Sequence, residues 1–452
     1  MFQKLLVANR GEIARRIIRT AKKMGIHTIA VHSEADGAMP FALEADEKHL
    51  IGPAPPKESY LVAGKILEVA KRTGAQAIHP GYGFLSENEG FAKAVKDAGL
   101  VFVGPDPETI GRVGGKLPAR ELAIAAGVPV VPGTGAVETL EAAKEAADRI
   151  GYPVLIKASA GGGGIGMSPV ADESKLERAL DDAKKKGAQF FGSDTVYLEK
   201  LVEAPAHVEV QIMGDRHGNV IALGERDCTV QRRHQKVIEE SPSPRIDATT
   251  RAKMLEAAQR LAQLAGYVNA GTVEMIFAGA GDAKGQFYFL EVNSRLQVEH
   301  PVTEAVTDLD LVELQLLVAA GEPLPKYARC PTFRGHAIEA RICAEDPEKR
   351  FFPSPGVISH AEWPKGEGIR VDAGFETGCV VPPTYDSLLA KIIAHGETRD
   401  QALDRLRDAL LATRVEGIKT NLSIFPTVLD HPVFRAGTHD TGFLKDHLGL
   451  KY

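Results

Sequence analysis

The stretch FLEVNSRLQVEHPVTE, residues 289–304, holds the densest set of groups able to do chemistry. Glu291, Asn293, Arg295, Gln297 and Glu299 fall on every second position. An extended backbone sends alternate side chains to one face, so if the extension persists all five point the same way. Leu290, Val292, Leu296 and Val298 then lie opposite, with Ser294 the one polar interruption. A solvated strand would alternate too, but its outer face usually draws on Lys, Thr and Glu. Here the order is acid, amide, guanidinium, amide, acid. A carboxylate beside an amide oxygen suits Mg²⁺, a hard ion that takes oxygen ligands. An arginine beside a second carboxylate suits an anionic substrate that must lose a proton.

Such groups need rigid strands to hold them. GTVEMIF, residues 271–277, reads as a strand presenting Glu274, and it should pair with the strand at 287–293. Glu274 and Glu291 would then sit on neighbouring strands, placed to share a metal. HVEVQIM alternates His207, Glu209 and Gln211 with Val208, Val210 and Ile212, and Gly214 and Gly218 mark a hairpin turn. Gln231, Arg232, Arg233, His234 and Lys236 form a basic knot, either a solvated edge or a seat for a triphosphate or bicarbonate. YPVLIKAS ends an apolar strand in Lys157 and runs into AGGGGIGM, residues 160–167. Consecutive glycines imply a loose tip or a backbone that approaches something closely. A strand, a lysine and a glycine run would make a phosphate cradle, though no Walker GK[ST] follows. Lys116, after two glycines, precedes another helix, and VYLEKL carries Glu199 and Lys200 on a strand.

The N-terminal segment KLLVANRGEIARRIIRTAKKMGIHTIAVHS reads as strand, helix, strand, a βαβ unit of a parallel sheet. Ile13, Ile17, Ile18 and Ala21 take the core face of the helix. Arg15, Arg16, Arg19, Lys22 and Lys23 take the wet face. The first turn, residues 8–12, has one glycine and not GxGxxG, which argues against a dehydrogenase. HPGYGFLSEN, residues 79–88, is a loop at a strand's end, where open α/β sheets place ligands; a well-turned surface loop would look similar. Beyond Arg334 the pattern is short strands, with a helix at 401–412. Glu339 and Arg341 share one strand face, either as a buried ion pair or as part of a site.

A chain of 452 residues should hold about three domains. Hydrophobic residues at 44% and charged residues at 25% are ordinary globular composition. A net charge of -6 leaves no basic excess for nucleic acid. No apolar run approaches the ~20 residues of a membrane span, and the first residues enter a strand without a signal-peptide pattern. Cys228, Cys330, Cys343 and Cys379 are scattered, as reduced thiols of a cytoplasmic protein would be.

Taken in order, these motifs resemble the biotin carboxylase subunit of biotin-dependent carboxylases, in the ATP-grasp superfamily. The likeness runs through ANRGEIA at 8–14, HPGYGFLSEN, IKAS with the glycine run, and ERDCTVQRRHQK at 225–236. It continues through LQVEHPVTE at 296–304, RGHAIEARICAEDP at 334–347, PTYDSLLAKI at 383–392 and GIKTN at 417–421. The resemblance implies an α/β and α+β chain. Its parts are a Rossmann-like N-terminal α/β domain (1–114), an ATP-grasp domain (115–330) with a Gly-rich flap subdomain at about 131–203, and a mostly β C-terminal domain (331–452). It assigns Lys116, Lys157, Gly162, Gly163 and Gly164 to the ATP phosphates, Glu199 and Lys200 to the adenine, and His207, Gln231 and His234 to the ribose and phosphates. Glu274, Glu291 and Asn293 would hold Mg²⁺ or Mn²⁺, with two ions expected. Lys236, Arg295, Gln297 and the Val298 backbone would bind bicarbonate, Glu299 would deprotonate it, and Tyr82 and Arg341 would face biotin.

The implied reaction phosphorylates bicarbonate to carboxyphosphate, which yields CO₂ for the biotin ureido nitrogen, with released phosphate as base. Two features depart from the family pattern. Ala160 replaces the first flap glycine and Ile165 replaces a flap cation, which predicts weaker closure over phosphate. Arg16, Arg19 and Arg370 match positions used in the family's homodimers, but Lys23 stands where an acid often sits. None of the seven methionines lies in a Met-Lys-Met sequence, so biotin is expected on a separate biotin carboxyl carrier protein, with carboxyltransferase subunits as further partners. The resemblance favours the acetyl-CoA carboxylase type and leaves the pyruvate and propionyl-CoA types, or another ATP-grasp ligase, as alternatives.

Overall fold

The computed structural model describes residues 1–159 and 166–450. Gly162, Gly163, Gly164 and the two departures at 160 and 165 lie outside the described residues.

The apolar run Lys4–Val7 (β1) is buried on both faces, which only a covered parallel strand allows. It is followed by helix Gly11–Lys23 (α1), then His27–Ser33 (β2), Glu47–Gly52 (β3), Ala77–His79 (β4) and Val101–Phe102 (β5). All pairings are parallel, in the order β3-β2-β1-β4-β5. The first turn is not idle for lacking a dinucleotide fingerprint. Asn9 donates from Nδ2 to the carbonyls of Pro80 (2.6 Å) and Tyr82 (2.8 Å), so it fastens the loop at 79–88. One expectation fails on α1. Arg16 is buried, not wet, because Glu304 (2.7 Å) and Asp310 (2.8 Å) hold its guanidinium.

The middle of the chain begins with helix Lys116–Ala125 (α2). Val154–Ala158 (β6), Met167–Val170 (β7) and Val196–Lys200 (β8) form a small antiparallel sheet in the order β7-β6-β8. Then come Ala206–Gly214 (β9), Val220–Arg232 (β10), Gln235–Ser241 (β11), helix Ala248–Ala265 (α3), Asn269–Phe277 (β12) and Phe287–Asn293 (β13). Helices His300–Thr307 (α4) and Leu311–Ala319 (α5) follow. The C-terminal strands used below are His336–Cys343 (β14), Ile369–Ala373 (β15) and Leu388–Gly396 (β16), ahead of helix Arg399–Ala412 (α6).

Strands from both sides of residue 330 meet in the large sheet. They form one eight-stranded antiparallel sheet, β13-β12-β9-β10-β11-β14-β16-β15, because β11 pairs directly with β14. On one face Val208, Val210, Ile212 and Val273 pack with the apolar side of α3. On the other face the alternating polar residues are also buried: Glu209 and Gln211 are wholly inaccessible. The cover there is α4, whose Thr303 accepts from the buried Arg226 guanidinium at 3.1 Å. The C-terminal strands also reach α1. A Cβ at Gly374, just past β15, would meet the Glu12 backbone nitrogen at 2.6 Å, so only glycine permits that approach.

Candidate active site

Register decides the first part of the site. Glu274 on β12 lies directly opposite Glu291 on β13 and opposite Glu209 on β9. Cross-strand partners share a face, so three carboxylates stand in a row. Like charges side by side need cations. Lys236 on β11 supplies one: its ammonium donates to Glu209 Oε2 (2.6 Å), Glu274 Oε1 (3.0 Å) and Glu299 Oε1 (2.6 Å). Burial opposes the Lys236 charge, but these acids outweigh it and hold its pKa well above the usual lysine value. Arg226, fully buried, donates to Glu209 Oε1 at 2.6 Å and to Gln211, Thr272, Thr303 and Gln297.

The alternation expected through residue 299 ends sooner. The strand stops at Asn293, and residues 294–299 form a loop into α4. Partners from elsewhere, not strand periodicity, gather the remaining groups. Arg295 donates to Glu87 Oε2 (2.6 Å) in the loop at 79–88 and to Asn293 Oδ1 (3.1 Å). Gln297 donates to Glu274 Oε1 at 3.0 Å. Glu299 accepts from Lys236 on one oxygen and from Arg341 Nη2 (2.9 Å) on the other. Burial works to raise the Glu299 carboxyl, yet Lys236, Arg341 and Arg226 hold it well below the ordinary carboxylate range.

Arg341 is not paired with Glu339. Its Nε donates to Glu239 Oε1 at 2.6 Å, because β11 brings Glu239 alongside β14. Burial pushes Glu239 up to about 7 against the pull of Arg341. Among the described residues neither Glu339 oxygen has a hydrogen-bond partner, and burial raises that carboxyl well above its usual value. Tyr82 donates its hydroxyl to Glu12 Oε1, which also takes Lys391 Nζ at 3.1 Å.

Tyr82, His207, His234, Lys236, Glu274, Glu291, Asn293, Arg295, Gln297, Val298, Glu299 and Arg341 line one cavity of about 630 Å³. Lys116, Lys157, Glu199, Lys200 and Gln231 do not line it. Lys116 donates weakly to the Ala158 carbonyl (3.5 Å), and its pKa is lowered by burial, with Lys157 adding to that effect. Lys157 and Glu199 neutralise one another at 2.5 Å, with Arg120 joining Glu199 at 3.2 Å. Lys200 falls on the other face of β8 and caps the carbonyls of Gly151 and Tyr152 at 3.0 Å each. Gln231 reaches His207 Nδ1 (2.8 Å), and His207 Nε2 lies 3.1 Å from Glu274 Oε2. The basic knot comes apart. Arg233 and His234 sit exposed in a turn with positive φ, while Arg232 pairs with Glu345 (2.7 Å) and stacks on Phe351.

The donor set suits a hard cation. Ligand atoms of His207, Glu209 and Glu274 lie within 4.8 Å of one another, and Glu291 stands across from Glu274. The two acids are tuned apart. Burial acts to raise both, but Lys236 and His207 hold Glu274 well below its usual value, while the Glu274 charge raises Glu291 further. A divalent ion would relieve that repulsion. The Asn293 amide nitrogen donates to Glu274 (2.9 Å) and its oxygen accepts from Arg295, so this amide must turn to ligate an ion.

Sequence reasoning passed over Arg226, Glu239, Glu12 and Lys391, and met Glu87 only as one polar residue of the loop at 79–88. Glu12, Arg226 and Lys391 lay inside quoted motifs, yet their partners come from other elements of the fold and no spacing announces them.

A parallel α/β domain leading into an antiparallel sheet, with acids and lysines on its inner face, defines an ATP-grasp ligase. Residues 1–110 match the biotin carboxylase N-terminal domain, residues 116–327 the ATP-binding domain of the carbamoyl-phosphate synthase L chain, and residues 339–446 the biotin carboxylase C-terminal domain. The chain is 51% identical over 452 residues to a biotin carboxylase of Halalkalibacterium halodurans, covering 100% of this chain and 99% of that one. A biotin carboxylase complex from Campylobacter jejuni superposes with a TM-score of 0.95 at 42% identity, covering 99% of each chain. The biotin carboxylase domain dimer of Hydrogenobacter thermophilus 2-oxoglutarate carboxylase, solved with MgADP, ADP and bicarbonate, gives 0.94 at 43% identity, covering 100% of this chain and 99% of that one. The chain belongs to the biotin carboxylase family.

Proposed function

We propose that the chain carboxylates biotin with bicarbonate and ATP, giving carboxybiotin, ADP and phosphate, with the following division of roles. The observation that carries it is the convergence of Lys236 and Arg341 on Glu299, beside the Glu274–Glu291 pair. Bicarbonate sits against Lys236, Arg295, Gln297 and the Val298 backbone. Glu299 is ionised at neutral pH and so can accept the bicarbonate proton. Its basicity rises when Lys236 and Arg341 transfer their hydrogen bonds to the substrates. Glu274 and Glu291, with Asn293, would hold Mg²⁺, which would neutralise charge on the ATP phosphates when bound. Lys116 and Lys157 steady those phosphates, His207, Gln231 and His234 flank them, and Glu199 and Lys200 border the adenine.

Transfer of the γ-phosphoryl group to a bicarbonate oxygen gives carboxyphosphate, which breaks its C–O bond to release CO₂ and phosphate. Phosphate takes the ureido N–H proton of biotin, the nitrogen attacks CO₂, and Arg341 stabilises the anionic ureido oxygen. Tyr82 lies against the biotin ring. The domain limits we assign are 1–114, 115–330 with a flap at about 131–203, and 331–452. We place the enzyme in the cytoplasm as a homodimer that acts on a separate biotin carrier and serves a carboxyltransferase. Among the described residues no helix is long and apolar enough to cross a membrane. Within one chain Arg19 and Arg370 both contact Asp372 (3.0 and 2.6 Å).

The test is ATP hydrolysis with bicarbonate and free biotin each omitted in turn. Turnover that needs both supports the reading. Turnover that ignores bicarbonate and answers to another acid or amine overturns it.

A further inference from the structure

We infer that Lys391 is a positioning residue for the bicarbonate seat, and that Glu12 ties this seat to the biotin pocket; the inference rests on the function proposed above. Lys391 on β16 is wholly buried. It lies directly opposite Arg341 on β14, so the two cations emerge side by side on one face. They grip successive residues of the loop. Arg341 donates to the Glu299 carboxylate at 2.9 Å, and Lys391 donates to the Val298 carbonyl at 2.7 Å. The second contact fixes a peptide plane. Turning the Val298 carbonyl toward Lys391 sets the direction of the peptide that joins Val298 to Glu299, and with it the path of the Val298 backbone beneath the anion.

A buried ammonium is costly unless paired. Glu12 at the start of α1 is that partner, 3.1 Å from Lys391 through Oε1. The same oxygen accepts the Tyr82 hydroxyl, while Glu12 Oε2 has no hydrogen-bond partner among the described residues. One carboxylate oxygen therefore joins Tyr82, which faces biotin, to the lysine that holds Val298. The strut crosses three parts of the chain: the loop at 79–88, α1 and β16. Its role is distinct from catalysis, since neither Lys391 nor Glu12 needs to touch bicarbonate.

The experiment compares wild type, Lys391→Met, Lys391→Arg and Glu12→Gln in steady-state assays that vary bicarbonate, biotin and ATP separately. Misplacing a substrate seat by about an ångström costs on the order of tenfold to a hundredfold. Lys391→Met should therefore raise the bicarbonate KM about tenfold or more while the ATP KM stays within about twofold, and Lys391→Arg should recover much of the loss. Glu12→Gln should raise the bicarbonate and biotin KM values together. A merely structural lysine would lower kcat and melting temperature without favouring one substrate. A folded Lys391→Met with an unchanged bicarbonate KM overturns the inference. If that variant does not fold, Glu12→Gln decides: unchanged bicarbonate and biotin KM values overturn it. Wild type lacking bicarbonate-dependent turnover would instead sink the proposed function, so the two failures are distinguishable.

Discussion

Arg341 Nη2 lies 2.9 Å from Glu299 Oε2, although the two residues are 42 positions apart. One belongs to a C-terminal strand and the other to the loop ahead of α4. Both residues line the cavity, and against the opposing effect of burial Arg341 adds to the larger effect of Lys236 in holding the Glu299 carboxyl well below its usual value.

Glu299→Gln keeps the shape and removes the proposed proton acceptor. General base catalysis contributes about 10²- to 10⁴-fold, and bicarbonate-dependent ATP cleavage should fall by that order. Nucleotide affinity, measured by calorimetry, should change little. Full activity in this variant would remove the base assignment.

Arg341→Met should abolish the stimulation of turnover by biotin and leave bicarbonate-dependent ATP hydrolysis as the residual activity. It also strips Glu239 of its guanidinium partner. Biotin titrations of ATP turnover check this, and an undiminished biotin response would contradict it.

Glu274→Gln removes one of the paired acids. The Mg²⁺ concentration for half-maximal activity should rise about tenfold or more. A metal titration at saturating ATP reads the shift directly, and chelation should stop wild-type turnover.

Arg226→Met takes from the buried Glu209 its 2.6 Å guanidinium partner and leaves Lys236 as its remaining hydrogen-bonded cation. Breaking a buried ion pair by removing one member costs about 3–5 kcal/mol. Urea unfolding should show a loss of that size, where an exposed arginine would show almost none.

His79 gives stability a defined pH dependence. Burial lowers its pKa to about 3 from 6.5, and its Nδ1 accepts the Gly81 N–H at 3.0 Å. The unfolded chain therefore binds a proton that the folded chain refuses between pH 6.5 and about 3. This contribution is complete above that window and is lost as pH falls through it. At about pH 5.5 it should remove roughly 1.4 kcal/mol. Melting temperatures at about pH 7.5 and 5.5 should differ more in wild type than in His79→Gln.

The sequence by itself determined the parts whose cause is local. Alternation along two short strands placed Glu274 and Glu291 on one face, because a pleated backbone leaves no other choice. The β1–α1–β2 unit was legible from its apolar spacing, and the order of motifs carried the family. The same local rule misjudged Arg16, since helix periodicity cannot register that Glu304 and Asp310 arrive from nearly three hundred residues away. It also carried the strand too far past Asn293.

Tertiary structure alone decided which cation meets which acid. Lys236 reaches Glu209 and Glu274 through the β12-β9-β10-β11 order, and Arg341, Glu239 and Lys391 come together because β11 pairs with β14 and β14 with β16, which joins the middle and C-terminal strands in one sheet. Hydrogen bonds between strands depend on register and not on sequence distance. A buried charge is stable only where the folded chain brings its counter-charge within a few ångströms.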